Sequence, residues 1–259
     1  MTAPSASLVE RFQNTIPAAS RAIARALLDG LFPWSCVSCK GRATSPLCSR
    51  CLERVHWITE PWCPQCGLPL ASPPSHPCAR CLTDPPAFSR LRALAGYRPA
   101  DEELDPVGTA LRAMKYGSRR ALARPLSTLL ADRFPFDPSD YEVIAPVPLH
   151  LERLRTRGFN QALLLACEVA RRFRLALDRA LLVRVRDTPP QVGLAESDRQ
   201  RNVRRAFELR PGRLVEGRSI LLVDDVCTST ATARACAAAL RQAGAARVDV
   251  VVLARALLR

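Results

Sequence analysis

Between residues 221 and 232 an apolar run ends in two adjacent carboxylates and a hydroxyl-rich turn, LLVDDVCTSTAT. Asp224 and Asp225 stand where a strand gives way to the helical stretch ATARACAAALRQAG. In an open parallel sheet, ligands collect beyond the carboxyl ends of the strands. A helix N-terminus there offers unpaired N–H groups and the positive end of a dipole to phosphate. Thr228, Ser229, Thr230 and Thr232 add hydroxyl donors. Paired acids beside such a cradle suit a sugar phosphate: the carboxylates accept from vicinal hydroxyls while the turn holds the 5′-phosphate. The plainer alternative is a βα turn with an N-capping threonine and solvated aspartates. The turn contains no glycine.

A second chemistry lies upstream. Eight of the eleven cysteines fall between residues 36 and 81, and all eight stand in C-x-x-C pairs: Cys36/Cys39, Cys48/Cys51, Cys63/Cys66 and Cys78/Cys81. Each pair delivers two thiolates from one tight turn, and two turns complete the tetrahedral sulfur site that zinc prefers. Two structural zinc ions in a reducing cytoplasm are expected, and sequential pairing of the turns closes the shortest loops. His56 and His76 are not needed as ligands. Metal binding supplies the order of 10–16 kcal/mol that so small a module lacks in buried apolar surface. Trp34, Trp57 and Trp62 all lie here, either as its core or as stacking platforms for bases. Cys167, Cys227 and Cys236 read as small apolar residues.

The elements that position these groups follow from hydrophobic period. SRAIARALLDGLF (20–32) reads as an amphipathic helix stopped by Pro33, packing on the protein's own body or on a partner or membrane surface. Residues 71–87 are rich in Pro and Ser and mark a boundary. Beyond it, apolar strands (LRALAGYR, YEVIAPVPL, ALLVRVR, SILLVDDV, RVDVVVLARAL) alternate with helices, the one over 119–134 open to a bend at Pro125. That alternation predicts an α/β fold with a parallel sheet flanked by helices. The chain divides into an N-terminal helical segment (1–32), a double zinc module (33–87) and the α/β domain (88–259).

The formal charge is +14 over 259 residues, which either favours a polyanionic partner or spreads over a solvated surface. From Glu152 to Arg218 sixteen arginines face eight acids. Arg153, Arg155 and Arg157, joined by Lys115 and Tyr116, would line the side where a pyrophosphate or nucleic-acid backbone passes. No run approaches the apolar length of a membrane span, so no stable membrane insertion is expected, and no secretory signal shows.

Residues 220–232 resemble the ribose-5-phosphate loop of type I phosphoribosyltransferases: four apolar residues, Asp-Asp, an apolar residue, any residue, then Thr-Thr-Gly-x-Thr. The resemblance implies that Asp224 and Asp225 are the catalytic, ribose-binding pair. It puts Val226, Cys227, Thr228, Ser229, Thr230, Ala231 and Thr232 on the phosphate loop. Thr230 stands where the family has glycine, and a β-branched residue is a poor host for positive φ. Either the loop takes an unstrained helical start and still binds phosphate, or affinity for phosphoribosyl pyrophosphate has dropped.

Three further segments, LRAMKYGSRRALA (111–123), APVPLHLERLRTRGFNQALLLA (145–166) and VRVRDTPPQVGLAESDRQRNVRRAF (183–207), are similar to ComF-type competence proteins, as is the double zinc ribbon before them. The resemblance runs from residue 30 to the end. It implies a type I phosphoribosyltransferase-like domain behind a double zinc ribbon, and single-stranded DNA handling after uptake. The implied partners are a helicase-like DNA-translocation ATPase and a recombination mediator. Gln191, Arg199 and Asn202 match family positions on a flap. The alternative is an active phosphoribosyltransferase of nucleotide metabolism, with Mg²⁺ bridging the pyrophosphate.

Overall fold

Four apolar runs become one parallel sheet. The computed structural model describes residues 34–97, 105–116, 120–186 and 206–257. The helix expected at 20–32 and the flap residues Gln191, Arg199 and Asn202 lie outside them. Strands β3 (Arg90–Tyr97), β4 (Val143–Pro146), β7 (Ser219–Cys227) and β8 (Arg247–Ala256) stand in the order β3-β8-β7-β4, all pairs parallel. Side chains alternate across a strand. Leu221, Val223, Val251 and Leu253 therefore enter one core layer, while Ile220, Leu222, Val250 and Val252 enter the other.

The first layer is closed by α3 (Pro106–Tyr116), α4 (Ala123–Asp132) and α6 (Gln161–Phe173), the second by α7 (Ala231–Gln242). Asp105 caps α3, its Oδ1 accepting from the N–H groups of Val107 and Gly108 at 3.1 Å each, with Pro106 at the first helical position. α3 buries Val107, Ala110, Leu111 and Met114, a helical stripe, and so carries Lys115 to the sheet's carboxyl edge. Pro125 does not bend α4. It sits in the first turn, behind a 3₁₀ turn at Arg120–Leu122, where its missing N–H costs nothing.

The run ALLVRVR does not join the sheet. Its core, β5 (Leu182–Arg184), pairs antiparallel with β6 (Phe207–Leu209) in a separate ribbon beside α7. LERLRTR, between β4 and α6, forms the short helix α5 (Leu151–Arg157), entered at His150 and ended by Gly158 at φ 74°.

The cysteine modules cover the β3 edge. The first contains β1 (Trp34–Ser35), β2 (Arg42–Ala43) and α1 (Ser49–Glu53), and the second α2 (Ala79–Thr83). Backbone bonds tie both to β3: Ile58 N–H to the Leu94 carbonyl, Gly96 N–H to His56, and Leu91 N–H to Gln65. Trp57 lies at the margin of the core under the Arg133 guanidinium, and Arg92 lies over Trp62. Among the described residues, no helix is long and apolar enough to cross a membrane.

Candidate phosphate site and metal centres

The helices that follow β4 and β7 cover opposite faces of the sheet, so the crevice between these two strands is the topological switch point where open α/β sheets bind ligands. The Asp pair and α5 both open onto it. Asp224 and Asp225 lie within β7, which runs on to Cys227, rather than beyond its end. Being adjacent in a strand, they face opposite layers. Asp225, 8% exposed, meets Lys115 on the α3 side, with Nζ 2.6 Å from Oδ2. Asp224 accepts the Asp225 N–H at 2.8 Å through Oδ1.

Burial, joined by the Asp225 charge, pushes the Asp224 carboxyl up to about 8. Burial opposes the Lys115 charge, yet Asp225 and Asp224 hold its pKa above the usual lysine value, against a pull from Arg157. Near neutral pH the trio thus holds a protonated Asp224 beside a Lys115–Asp225 ion pair. Lys115, expected on a pyrophosphate, is held by Asp225 instead.

After Cys227 the chain turns through Thr228 and Ser229, and Thr230 takes φ 62°, ψ −3° before α7 begins. The unstrained helical start is not adopted. Thr230 takes the left-handed conformation that glycine adopts most readily, at a cost of order 1–2 kcal/mol. Such strain persists where surroundings over-determine it. Arg234 Nε reaches Thr230 Oγ1 at 3.2 Å, and Arg80 Nη2 donates to the Ser229 carbonyl at 2.6 Å. The Ser229 hydroxyl is buried with no protein partner. Thr228 and Thr232 are half-buried beside it, and Ala231 is buried at the start of α7. Burial raises the Cys227 thiol, as suits a small apolar residue.

The arginines of α5 do not form one track. Arg153 and Arg157, four apart, share a helix face, and the Arg157 guanidinium lies 5.3 Å from the centre of the Tyr116 ring. Arg155 points elsewhere and is exposed. Tyr116 itself is 71% exposed at the mouth of the site. Of the expected basic residues, the structure brings together Lys115 and Arg157, and leaves Arg155 apart. Arg80 and Arg234 escaped sequence reasoning because each acts across the fold. The only cue was their arginine type beside a thiolate pair and in a helix's first turn.

The eight thiolates fall into the expected sequential groups, Cys36/Cys39/Cys48/Cys51 and Cys63/Cys66/Cys78/Cys81, each with sulfurs within 4.8 Å of one another. Cys39 and Cys48 Sγ atoms are 3.7 Å apart, as are those of Cys66 and Cys78. A tetrahedral zinc with Zn–S near 2.3 Å separates its sulfurs by about 3.8 Å. The donor sets therefore fit two structural zinc ions. Burial opposes ionisation of Cys36 and Cys63, but backbone N–H groups of the turns win and draw the thiols down to about 6 and about 7. Among the described residues, magnesium has no comparable cage. Asp224 and Asp225 are two acids, one already paired, so a diphosphate would have to supply most of the oxygens.

Residues 27–82 match the double zinc ribbon domain, and residues 160–257 match the phosphoribosyl transferase domain. The chain is 36% identical over 217 residues to the DNA utilization protein YhgH of Salmonella typhi, covering 82% of this chain and 91% of that one. It is 30% identical over 240 residues to competence protein F of Haemophilus influenzae, covering 87% of this chain and 98% of that one. Among solved structures, glutamine phosphoribosylpyrophosphate amidotransferase of B. subtilis aligns with a TM-score of 0.35 at 20% identity, over 57% of this chain and 27% of that one. By its matched length and both its domains, the chain belongs to the ComF family of competence and DNA-utilization proteins.

Proposed function

We propose that this protein handles single-stranded DNA in the cytoplasm and binds a 5-phosphoribosyl group, as a nucleotide end or as phosphoribosyl pyrophosphate with Mg²⁺, at the switch point of its sheet. One observation carries the reading: an acidic pair inside β7 adjoins a phosphate loop that keeps a left-handed residue without glycine, with a buried hydroxyl left unpartnered. In the ligand-bound state ribose hydroxyls take the place of Lys115 on Asp225. The freed ammonium then turns to the phosphate, so one residue neutralises the acid in the empty site and the anion in the filled one. DNA runs past Arg153 and Arg157, with Tyr116 offering a ring on which a base stacks. The role in DNA utilization or competence named for the relatives supports the DNA half of this reading.

The retained conformation at Thr230 also favours a second reading, transfer of the phosphoribosyl group to an acceptor with Asp224 and Asp225 holding the ribose as positive charge develops.

Calorimetry with phosphoribosyl pyrophosphate, with and without Mg²⁺, and anisotropy with a labelled single strand test both halves. Single-strand affinity should fall steeply with salt. Asp225→Asn should weaken donor binding by about tenfold or more, as loss of a hydrogen bond to a charged group implies. No single-strand binding at low salt would remove the DNA half, and no heat with the donor would remove the pocket.

A further inference from the structure

The two cysteine modules repeat each other closely enough to serve as mutual controls. In each, the last two thiolates bracket a small residue and an arginine: Cys48-Ser49-Arg50-Cys51 and Cys78-Ala79-Arg80-Cys81. Both stretches lead into five-residue helices, α1 and α2, and the turns before them share the same backbone bonds, Cys36 N–H to the Gly41 carbonyl and Cys63 N–H to Leu68, both 2.8 Å. The arginines nevertheless differ. Arg50 is exposed, whereas Arg80 is half-buried and crosses 149 residues of sequence to the Ser229 carbonyl.

That carbonyl belongs to the peptide that enters Thr230, the left-handed residue of the phosphate loop. The N–H of the same peptide lies on the side of the Cys227 sulfur, where it opposes the rise that burial gives the thiol. The peptide plane is thus pinned at its oxygen by Arg80. The remaining ties also come from the second module. Arg234, in the first turn of α7, donates to the Asp84 carboxylate at 3.0 Å and to its carbonyl at 2.7 Å. The buried Arg255 donates to the carbonyl of Cys66, itself a metal ligand, at 2.5 Å. Residues of the first module meet β3 and the α3 layer instead.

We infer that Arg80 is a positioning residue for the phosphate loop, through which the second zinc centre, and not the first, sets the geometry of the anion site. Zinc there fixes the turn Cys78–Cys81, the turn fixes Arg80, and Arg80 fixes the Ser229–Thr230 peptide against the relaxation that a β-branched left-handed residue favours. The affinity arm of the test rests on the proposed phosphoribosyl site; the exchange arm does not.

The experiment compares Arg80→Met, which keeps the stem, with Arg50→Met at the matching position. Hydrogen exchange followed by mass spectrometry reads the loop peptide and β8, zinc content is assayed per chain, and calorimetry reads phosphoribosyl pyrophosphate binding. Arg80→Met should speed exchange in the loop and weaken donor binding by about tenfold each, the scale of a lost charge-assisted hydrogen bond. Zinc content and β8 exchange should hold, and Arg50→Met should match wild type throughout. Loop exchange in Arg80→Met equal to that in Arg50→Met overturns the inference. Should Arg80→Met lose zinc, Asp84→Ala decides the matter by removing the carboxylate half of the Arg234 strap without touching the turn. Faster loop exchange then supports the coupling, and unchanged exchange refutes it. A wild type that binds no donor would sink the proposed function while leaving the exchange comparison intact.

Discussion

Asp249, Asp225 and the half-buried Asp224 are carboxylates on neighbouring strands of one sheet, the first near its amino edge and the others at its carboxyl edge. Asp249 is wholly buried and fully answered. Arg90 gives it a backbone N–H at 2.9 Å and two guanidinium bonds at 3.0 and 2.8 Å, Tyr141 a hydroxyl at 2.7 Å, and Arg247 an ion pair at 2.9 Å. Burial and the bond to Asp249 push the Tyr141 phenol up, so it stays a donor. At the other edge two acids share one lysine, and a nearby hydroxyl has no partner. The fold saturates Asp249 and leaves the Asp224–Asp225 pair short, the condition that marks a candidate site.

The comparison can be broken at either end. The largest effect is expected at Asp249. Asp249→Ala leaves Arg90 and Arg247, each about one-third exposed, with Asp140 alone and removes the acceptor of the Tyr141 hydroxyl, and should cost about 2–4 kcal/mol of unfolding free energy, below the full scale for a fully buried pair. Denaturant melts at constant slope measure it, and a loss under about 1 kcal/mol would mean the amino-edge network is ornamental.

A smaller, pH-dependent effect of opposite sign is expected at Asp224. The folded carboxyl titrates near about 8, while an unfolded one titrates near about 4. Between those values the native state holds more protons than the unfolded chain, so stability falls as pH rises. Asp224→Asn removes that slope. The variant should match wild type at the acid end of the window and exceed it at the alkaline end, by a few degrees in Tm at roughly 1–2 kcal/mol. Parallel pH profiles for the two proteins would show that the acid is not held protonated.

The smallest effect is expected at Thr230. Glycine relieves about 1–2 kcal/mol of left-handed strain but adds about 0.5–1 kcal/mol of chain entropy, and the Arg234 contact goes with the hydroxyl. Thr230→Gly should therefore move stability by less than about 1 kcal/mol. A change beyond about 2 kcal/mol would show that the loop draws its shape from more than the peptide on either side.

The parts of this fold visible in the sequence are those written in local spacing. The four C-x-x-C pairs were visible at once and left their grouping to the shortest-loop argument, which the structure matches, and the apolar runs gave the strands of the sheet, because burial on both faces leaves an uninterrupted run. α5 was hidden by the same logic: Leu151 and Leu154 stay exposed, so LERLRTR shows no buried stripe, and only the capping residues His150 and Gly158 mark it. ALLVRVR read as a sheet strand because a short apolar run looks alike in a sheet and in a ribbon whose partner lies at Phe207–Leu209. The Asp pair was legible from its motif. Its partner Lys115 lies 110 positions upstream on a separate helix, and no spacing rule connects them.

Gly67, at φ 66° just after Cys66, has a consequence for the whole chain. A β-carbon there would stand 2.3 Å from the carbonyl oxygen of Leu91, so the second turn rests directly on the backbone of β3. The matching residue of the first turn, Lys40, holds the same twist at φ 62° with a side chain in place. Stripping zinc from the second turn would uncover the Leu91 end of the β3 rim, where a freed peptide group offers a template for another copy to zip onto. In this protein metal starvation would therefore surface first as poor solubility.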